Sequence, residues 1–92
     1  MKEKIVFMEA EKWASKETLQ EYWGFVPQYV AIVIDEYSVR VYGVDAPTLE
    51  SYLSQDAPAE SWALGSDIAR DILDFIAPLI SKGEYEEWEY FG

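Results

Sequence analysis

The sequence contains neither cysteine nor histidine, and only seven of its residues are lysine or arginine. Without cysteine the chain has no disulfide, no thiol nucleophile and no thiolate metal site, which is typical of a reducing compartment. Without histidine the commonest general base and metal ligand is missing, so Ser-His-Asp and Cys-His catalytic arrangements are excluded. With so few cations the chain also lacks the basic, aromatic-rich patches of nucleic-acid-binding proteins, and we expect no direct binding of nucleic acid.

Long hydrophobic segments are missing as well. The longest uncharged stretch, Tyr22 to Ile34, has 13 residues, whereas a membrane-spanning helix needs about 20. The first lysines are followed by a run of only four apolar residues, Ile5 to Met8, which is too short for the core of a secretory signal peptide. We therefore expect a soluble, cytoplasmic protein that binds no membrane and forms a single domain over residues 1–92.

The motifs of common enzymes and cofactor sites do not occur either. No GxSxG elbow, P-loop, GxGxxG loop or EF-hand loop is present. Asp67, Asp71 and Asp74 offer the oxygen ligands that Mg²⁺ and Ca²⁺ prefer, but a solvated helix face with Arg70 bridging Asp67 and Asp74 is the simpler interpretation. We predict a protein that is not an enzyme, with no catalytic residues, no metal site and no cofactor.

The clearest structural signal is Tyr29 to Val44, whose apolar pattern predicts a β-hairpin. The register that collects the apolar residues on one face has the pairs Ile34–Val39, Ile32–Val41 and Val30–Gly43, with Val33–Arg40, Ala31–Tyr42 and Asp35–Ser38 on the other. A slip of one residue would mix the two faces, so the pattern determines the register. A four-residue loop from Asp35 to Ser38 is expected, because Asp is favoured at the first position of a type I turn.

Two further elements precede the hairpin. Ile5 to Met8 predicts a first strand, and its shortness and charged flanks suit an edge or terminal position in the sheet. Ser15 to Gly24 predicts a short helix, because Ser15 suits the amino-terminal cap and Gly24 suits the end. We expect the aromatic pair of this helix, Tyr22 and Trp23, to pack on the sheet, since so short a helix is marginal alone.

Three signals follow the hairpin. Two similar segments begin with Asp-Ala-Pro, which suits a helix start, so we predict one helix over 46–54 and a second of one or two turns. Asp67 to Lys82 predicts a helix that ends at Gly83 and whose buried stripe consists of apolar residues at helical spacing, Ile68, Ile72, Phe75, Ile76 and Leu79. Pro78 is expected to kink or split that helix. Gly83 to Gly92 fits either a last strand or a loosely held tail, and the strand is favoured because exposed aromatic side chains are costly.

The assembled prediction is an α+β protein, a small two-layer sandwich. It has an antiparallel sheet of three or four strands around the central hairpin, residues 29–44, with helices packed on one face. The order of elements along the chain is β-α-β-β-α-α-β.

The net charge of −11 is unevenly distributed along the chain. Residues 1–16 carry a balance of +1, whereas residues 17–92 hold fifteen acids and only three cations. Such a chain repels nucleic acid and anionic membranes and attracts basic surfaces. The alternative is that the acidity only keeps the protein soluble.

Three patches concentrate acids, and two of them also contain aromatic residues, which supply much of the binding energy at protein interfaces. Their carboxylates are spaced along a strand, a turn and a helix in arrays that can present negative charge as a nucleic-acid backbone does. Alternatively, the aromatic residues of the last segment complete the core and its glutamates are only solvated. The predicted partner-binding residues are Asp35, Glu36 and Tyr37 at the hairpin tip, Asp67, Asp71 and Asp74 on the long helix, and Glu84, Glu86, Glu87, Trp88, Glu89 and Tyr90 in the last segment.

In size, charge and lack of histidine and cysteine, the chain resembles the small acidic inhibitors that phages encode and that imitate DNA. This is a resemblance of composition and not of sequence. It implies an inhibitor, of anti-defence or anti-CRISPR-like type, that blocks a basic, nucleic-acid-binding surface of a host protein. The alternative hypothesis is a structural or adaptor domain that forms a homodimer or binds a partner through its sheet and aromatic residues.

Overall fold

A computed structural model of the chain describes residues 2–55, 58–81 and 86–91. The strands are β1 (Lys2–Glu9), β2 (Tyr29–Ile34), β3 (Ser38–Val44), β4 (Glu60–Ala63) and β5 (Glu86–Phe91), and the helices are α1 (Ala10–Trp13), α2 (Lys16–Trp23), α3 (Leu49–Leu53) and α4 (Asp67–Ser81). All neighbouring strands are antiparallel, and the sheet order is β4-β3-β2-β1-β5. The predicted α+β class with an antiparallel sheet is confirmed, and the described elements include a further strand, β4.

The central hairpin has the predicted register. Ile34 pairs with Val39, Ile32 with Val41 and Val30 with Gly43. Val30, Ile32, Val39 and Val41 are all buried on one face of the sheet. The alternation of apolar residues was sufficient to determine this pairing, because any other register exposes them to water.

Strand β1 lies inside the sheet, so its predicted edge or terminal position is wrong. It pairs with β2 on one side and with β5 on the other. Ile5 and Phe7 are buried on one face, and Val6 and Met8 are buried on the opposite face. A strand that is covered on both faces needs a continuous apolar run in place of an alternating one, and Ile5 to Met8 is such a run.

The second of the two similar segments forms strand β4, so the predicted second short helix is wrong. Residues Glu60 to Ala63 pair with Val41 to Ser38, and the Ala59 N–H donates to the Val41 carbonyl at 2.8 Å. The first segment does form a helix, α3, but its cap is Thr48, whose side chain accepts from the Ser51 N–H. A helix of one turn has few internal hydrogen bonds. The second segment therefore becomes a strand, because pairing with the open edge of the sheet gives its backbone more hydrogen bonds.

The helices divide unequally between the two faces of the sheet. The first face carries α1, α2 and α4, and their buried residues there include Ala10, Leu19 and Ile72. The second face carries α3, whose Tyr52 packs edge-on against Tyr42 with ring centroids 5.0 Å apart. The second layer of helices is therefore on one face, as predicted, while one short helix covers part of the other.

Helix α2 has both predicted ends. The Ser15 side chain accepts a hydrogen bond from the Thr18 N–H at 3.3 Å, and Gly24 ends the helix with a left-handed φ of 76°. Only one of its two aromatic residues docks as expected: Trp23 packs against the first-face core, while Tyr22 remains exposed. Trp23 reaches the sheet where Gly43 leaves room for its indole ring.

Helix α4 runs from Asp67 to Ser81 without a break, although Pro78 lies inside it. Of the two predicted effects of Pro78, the split is wrong and the kink stays a prediction. The helix continues because Pro78 is close to its carboxy-terminal end, where the loss of one backbone hydrogen bond interrupts few turns. Lys82 and Gly83, the predicted end of this helix, lie outside the described residues. In the part of the chain that is described, no helix has the length and apolar character needed to cross a bilayer.

Replacing Ser66 with alanine is expected to lower the free energy of unfolding by about 1 kcal/mol. The Ser66 side-chain oxygen accepts a hydrogen bond from the Ala69 N–H at 3.2 Å, which caps the start of α4. Thermal melts followed by circular dichroism would measure the change, which corresponds to about 4–8 °C for a domain of this length. Ser61→Ala, at an exposed position of β4, is the control, and an equal effect of the two substitutions would contradict a capping role.

Candidate functional site

The hairpin tip is held together by the carboxylate of Asp35. Its Oδ1 accepts hydrogen bonds from the backbone N–H groups of Tyr37 and Ser38, both at 2.7 Å. Its Oδ2 lies 3.4 Å from Nη2 of Arg40, and only 10% of the Asp35 side chain is exposed. The Asp35 N–H in turn donates to the Ser38 carbonyl at 3.0 Å. Asp35, one of the predicted partner-binding residues, is therefore engaged inside the turn.

Two opposing effects act on the pKa of Asp35. Burial alone raises the pKa, but the hydrogen bonds from Tyr37 and Ser38 and the positive charge of Arg40 outweigh burial, so the pKa lies below its ordinary value. The charged form of Asp35 is thus the form that the turn requires. Arg40 also donates to the Tyr42 hydroxyl at 2.9 Å, so the charge pair is continuous with the aromatic core of the second face.

The tip presents its other two residues to solvent beside helix α4. Glu36 is exposed, and 67% of Tyr37 is accessible. The Leu64 N–H donates to the Tyr37 carbonyl at 2.9 Å, which ties the tip to the segment that leads into α4. Glu36 and Leu73 of α4 line the same open groove. The hairpin tip therefore adjoins helix α4 at Leu73, the helix that also carries the three predicted aspartates.

The three aspartates of α4 are all exposed. At a rise of 1.5 Å per residue, Asp67 and Asp74 stand about 10 Å apart along the helix axis, with Asp71 between them. Glu11–Lys16 and Asp35–Arg40 are ion pairs of this part of the chain, and among the described residues the expected bridge from Arg70 to Asp67 and Asp74 is not formed. Nor does the described part of the chain bring three acidic side chains together as a metal site would require.

Helix α4 also exposes apolar side chains beside its aspartates. Ile68 is 51% exposed and Phe75 is 42% exposed, although the sequence pattern placed both on the buried stripe. Phe75 contacts Trp13 of α1 edge-on, with ring centroids 6.4 Å apart. Trp13, Ile68, Asp71, Ile72 and Phe75 line an open groove of about 240 Å³. The core takes up the adjacent stripe of Ala69, Ile72 and Ile76, which leaves Ile68 and Phe75 at its margin.

The third predicted patch lies at the edge of the sheet formed by β5. Glu86 pairs with Phe7, Glu87 with Val6, Trp88 with Ile5, Glu89 with Lys4 and Tyr90 with Glu3. The predicted strand is confirmed for residues 86–91, while Glu84 lies outside the described residues. Because Lys4 also pairs with Ile34 of the hairpin, the later residues of β5 are at the same end of the sheet as the tip.

We call the exposed set Glu36, Tyr37, Asp67, Asp71 and Asp74 the tip–helix surface. Sequence reasoning found all five of these residues but missed Trp13, Ile68 and Phe75 as surface residues next to them. The sequence did contain a signal for the exposure of Ile68 and Phe75, because the apolar stripe of α4 has more residues than one helix can bury against a small sheet. Trp13 carried no such signal.

Comparisons with protein-family models, with curated proteins and with solved structures find no match to this chain.

Proposed function

We propose that this chain is a small acidic protein-binding inhibitor that occupies a basic, nucleic-acid-binding surface of another protein. The observation that carries the proposal is the tip–helix surface, where four exposed acids, Glu36, Asp67, Asp71 and Asp74, take part in none of the described ion pairs. A protein of this type acts in the cytoplasm, where its target is, and it fits a phage or another mobile element.

The charge distribution supports a cationic partner. An acid that forms no ion pair among the described residues keeps its full charge available to a partner surface, and a surface of one sign accelerates and orients association. The excess of acids over cations after residue 16 gives the whole chain a field of the same sign. Nucleic acid itself is repelled by that field.

Exposed apolar and aromatic groups support protein binding over simple solubility. Tyr37, Ile68 and Phe75 are large side chains left in water beside the acids. Side chains of this kind contribute most of the energy at protein interfaces, whereas exposed charges contribute rate and specificity. A surface selected only for solubility gains nothing from them.

The first test uses the immobilised chain and a bacterial lysate applied at low salt, followed by a salt gradient. We expect a basic, nucleic-acid-binding protein to elute as salt rises, because exposed charges are screened within about 8–10 Å at physiological ionic strength. Double-stranded DNA added at low salt should displace the same protein. Binding that is equally tight at low and high salt would refute nucleic-acid mimicry.

The second test locates the interface on the captured protein. The triple variant Asp67→Asn, Asp71→Asn, Asp74→Asn should weaken binding about tenfold or more, since each exposed charge pair contributes up to about 1 kcal/mol. The control, Glu9→Gln, Glu21→Gln, Asp45→Asn, removes the same charge from exposed positions elsewhere. Calorimetric titration measures both, and equal weakening would assign the binding to overall charge and not to the tip–helix surface.

A second candidate function, a structural or adaptor domain, is favoured by one observation. Strand β4 is at the edge of the sheet, and Ser61 and Ala63 are exposed there. Edge strands present unpaired backbone groups that another strand can join. This candidate predicts a dimer whose mass by light scattering depends on protein concentration and not on salt, whereas the inhibitor alone is a monomer until it meets its partner.

A further inference from the structure

The groove between α1 and α4 combines two aromatic rings with a carboxylate. Trp13 and Phe75 meet at an interplanar angle of 63°, so they form a corner with faces in two directions. Asp71 lies one turn before Phe75 on the same side of the helix. The groove has a volume of about 240 Å³ and is open to solvent, with the side chains of Ile68 and Ile72 completing its lining.

Aromatic faces beside a carboxylate are the surroundings in which a guanidinium group binds well. Arginine is planar and weakly hydrated, and it stacks on aromatic rings while its N–H groups donate to a carboxylate. A lysine ammonium is more strongly hydrated and does not stack, so it gains less from the rings. A purely apolar occupant would leave Asp71 without a cationic partner.

We propose that this groove receives an arginine side chain of the basic partner, with the guanidinium stacked in the corner of Trp13 and Phe75 and hydrogen-bonded to Asp71. The inference deepens the proposed function and rests on it, because it names the side chain through which the partner docks. It also assigns separate roles on α4: Asp67 and Asp74 attract positive charge, while Asp71 belongs to both the acidic row and the groove.

The test is a nuclear magnetic resonance titration of the full chain, labelled with ¹⁵N, in buffer with 150 mM salt. The probes are three peptides of the same length: four Gly-Arg repeats, four Gly-Lys repeats and four Gly-citrulline repeats. We expect the arginine peptide to shift the Trp13 indole N–H and the amides of Asp71 and Phe75, and to bind about threefold or more tighter than the lysine peptide. The neutral citrulline peptide should shift none of them.

Matched variants distinguish binding in the groove from general electrostatic attraction to the acidic chain. Asp71→Asn should weaken the arginine peptide about three- to fivefold, as one exposed charge-assisted contact allows. Asp45→Asn removes one charge from another exposed position and should have an effect below about 1.5-fold. Phe75→Leu should abolish the preference for arginine over lysine, whereas Phe25→Leu, at another exposed phenylalanine, should leave it intact.

Several outcomes would overturn the inference. Equal affinity for the arginine and lysine peptides, or equal effects of Asp71→Asn and Asp45→Asn, would mean that the groove does not recognise arginine. Shifts of the Trp13 and Phe75 signals on concentrating the chain without peptide would assign the groove to a second copy.

Failure of the inference is distinguishable from failure of the proposed function. If the captured basic protein binds in a salt-dependent way but Asp71→Asn behaves like Asp45→Asn, the groove is refuted and the inhibitor proposal stands. If the arginine peptide binds in the groove but no nucleic-acid-binding protein is captured, the groove stands and the inhibitor proposal falls.

Discussion

Replacing Gly43 with valine is expected to destabilise the domain by about 3 kcal/mol, since overpacking a core position commonly costs 1–3 kcal/mol and valine adds three carbons. Gly43 lies in β3, directly beneath the indole ring of Trp23. A Cβ atom at this position would stand 3.0 Å from Nε1 of Trp23 and 3.1 Å from Cβ of Pro27. Pro27 is buried and Trp23 is half-buried, so neither neighbour can move aside without disturbing the packing of α2 on the sheet.

This loss in the free energy of unfolding is large for a domain of this length. A domain with about 5–15 kcal/mol of total stability would lose a substantial part of it, and its melting temperature would fall by more than about 10 °C. Gly65→Val is the control, because nothing lies within 4 Å of a Cβ atom there. A Gly43→Val protein that melts like the wild type would show that Trp23 does not rest against the strand.

Replacing Asp35 with alanine is expected to destabilise the domain by about 2–3 kcal/mol, since hydrogen bonds to a charged group contribute about 1.5–3 kcal/mol. The substitution leaves the N–H groups of Tyr37 and Ser38 without their acceptor. It also removes the carboxylate beside Arg40. Glu36→Ala, one residue further on and exposed, should change stability by less than about 0.5 kcal/mol. Urea denaturation measures both, and similar effects would mean that the turn does not depend on the Asp35 carboxylate.

The same residue predicts a specific dependence on acid. The pKa of Asp35 is lower in the folded chain than its ordinary value, so the folded state holds the charged form more tightly than the unfolded state does. The stabilisation from the charge is therefore complete above the unfolded pKa of about 3.9 and is lost as pH falls through the lower, folded pKa. The gap in stability between the wild type and Asp35→Asn should be constant above about pH 5 and narrow below about pH 4. A gap that widens in acid would contradict the direction of the pKa shift.

The central hairpin shows how much of the fold the sequence contains. Its register follows from the alternation of Val30, Ile32, Val39 and Val41, because a period of two residues admits only one pairing with a single apolar face. The ends of α2 were equally predictable from Ser15 and Gly24, since these depend on local hydrogen bonds and on a left-handed φ. Signals that are local in the chain determined these parts.

The parts that could not be predicted depend on contacts between distant segments. Whether Glu60 to Ala63 forms a helix or a strand is decided by the open edge of β3, which the segment itself does not encode. The position of β1 inside the sheet depends in the same way on β5.

The candidate site likewise has features that the sequence predicts and features that depend on contacts between distant segments. The exposed aspartates of α4 follow from helical periodicity, but the engagement of Asp35 in the turn and the exposure of Phe75 depend on three-dimensional packing. A sequence pattern shows which residues are charged, but only the folded structure shows which of those charges are already engaged in contacts within the chain.

The position of β1 has a consequence for the order in which the sheet assembles. The strands β1, β2 and β3 are neighbours and are complete by Val44, so they can form while the rest of the chain is still being synthesised. The pairing of Lys2 with Phe91, by contrast, closes a loop of nearly the whole chain, which is the most costly closure in chain entropy. We therefore expect β5 to dock last. Its docking converts β1 from an edge strand of the partly formed sheet into an interior strand.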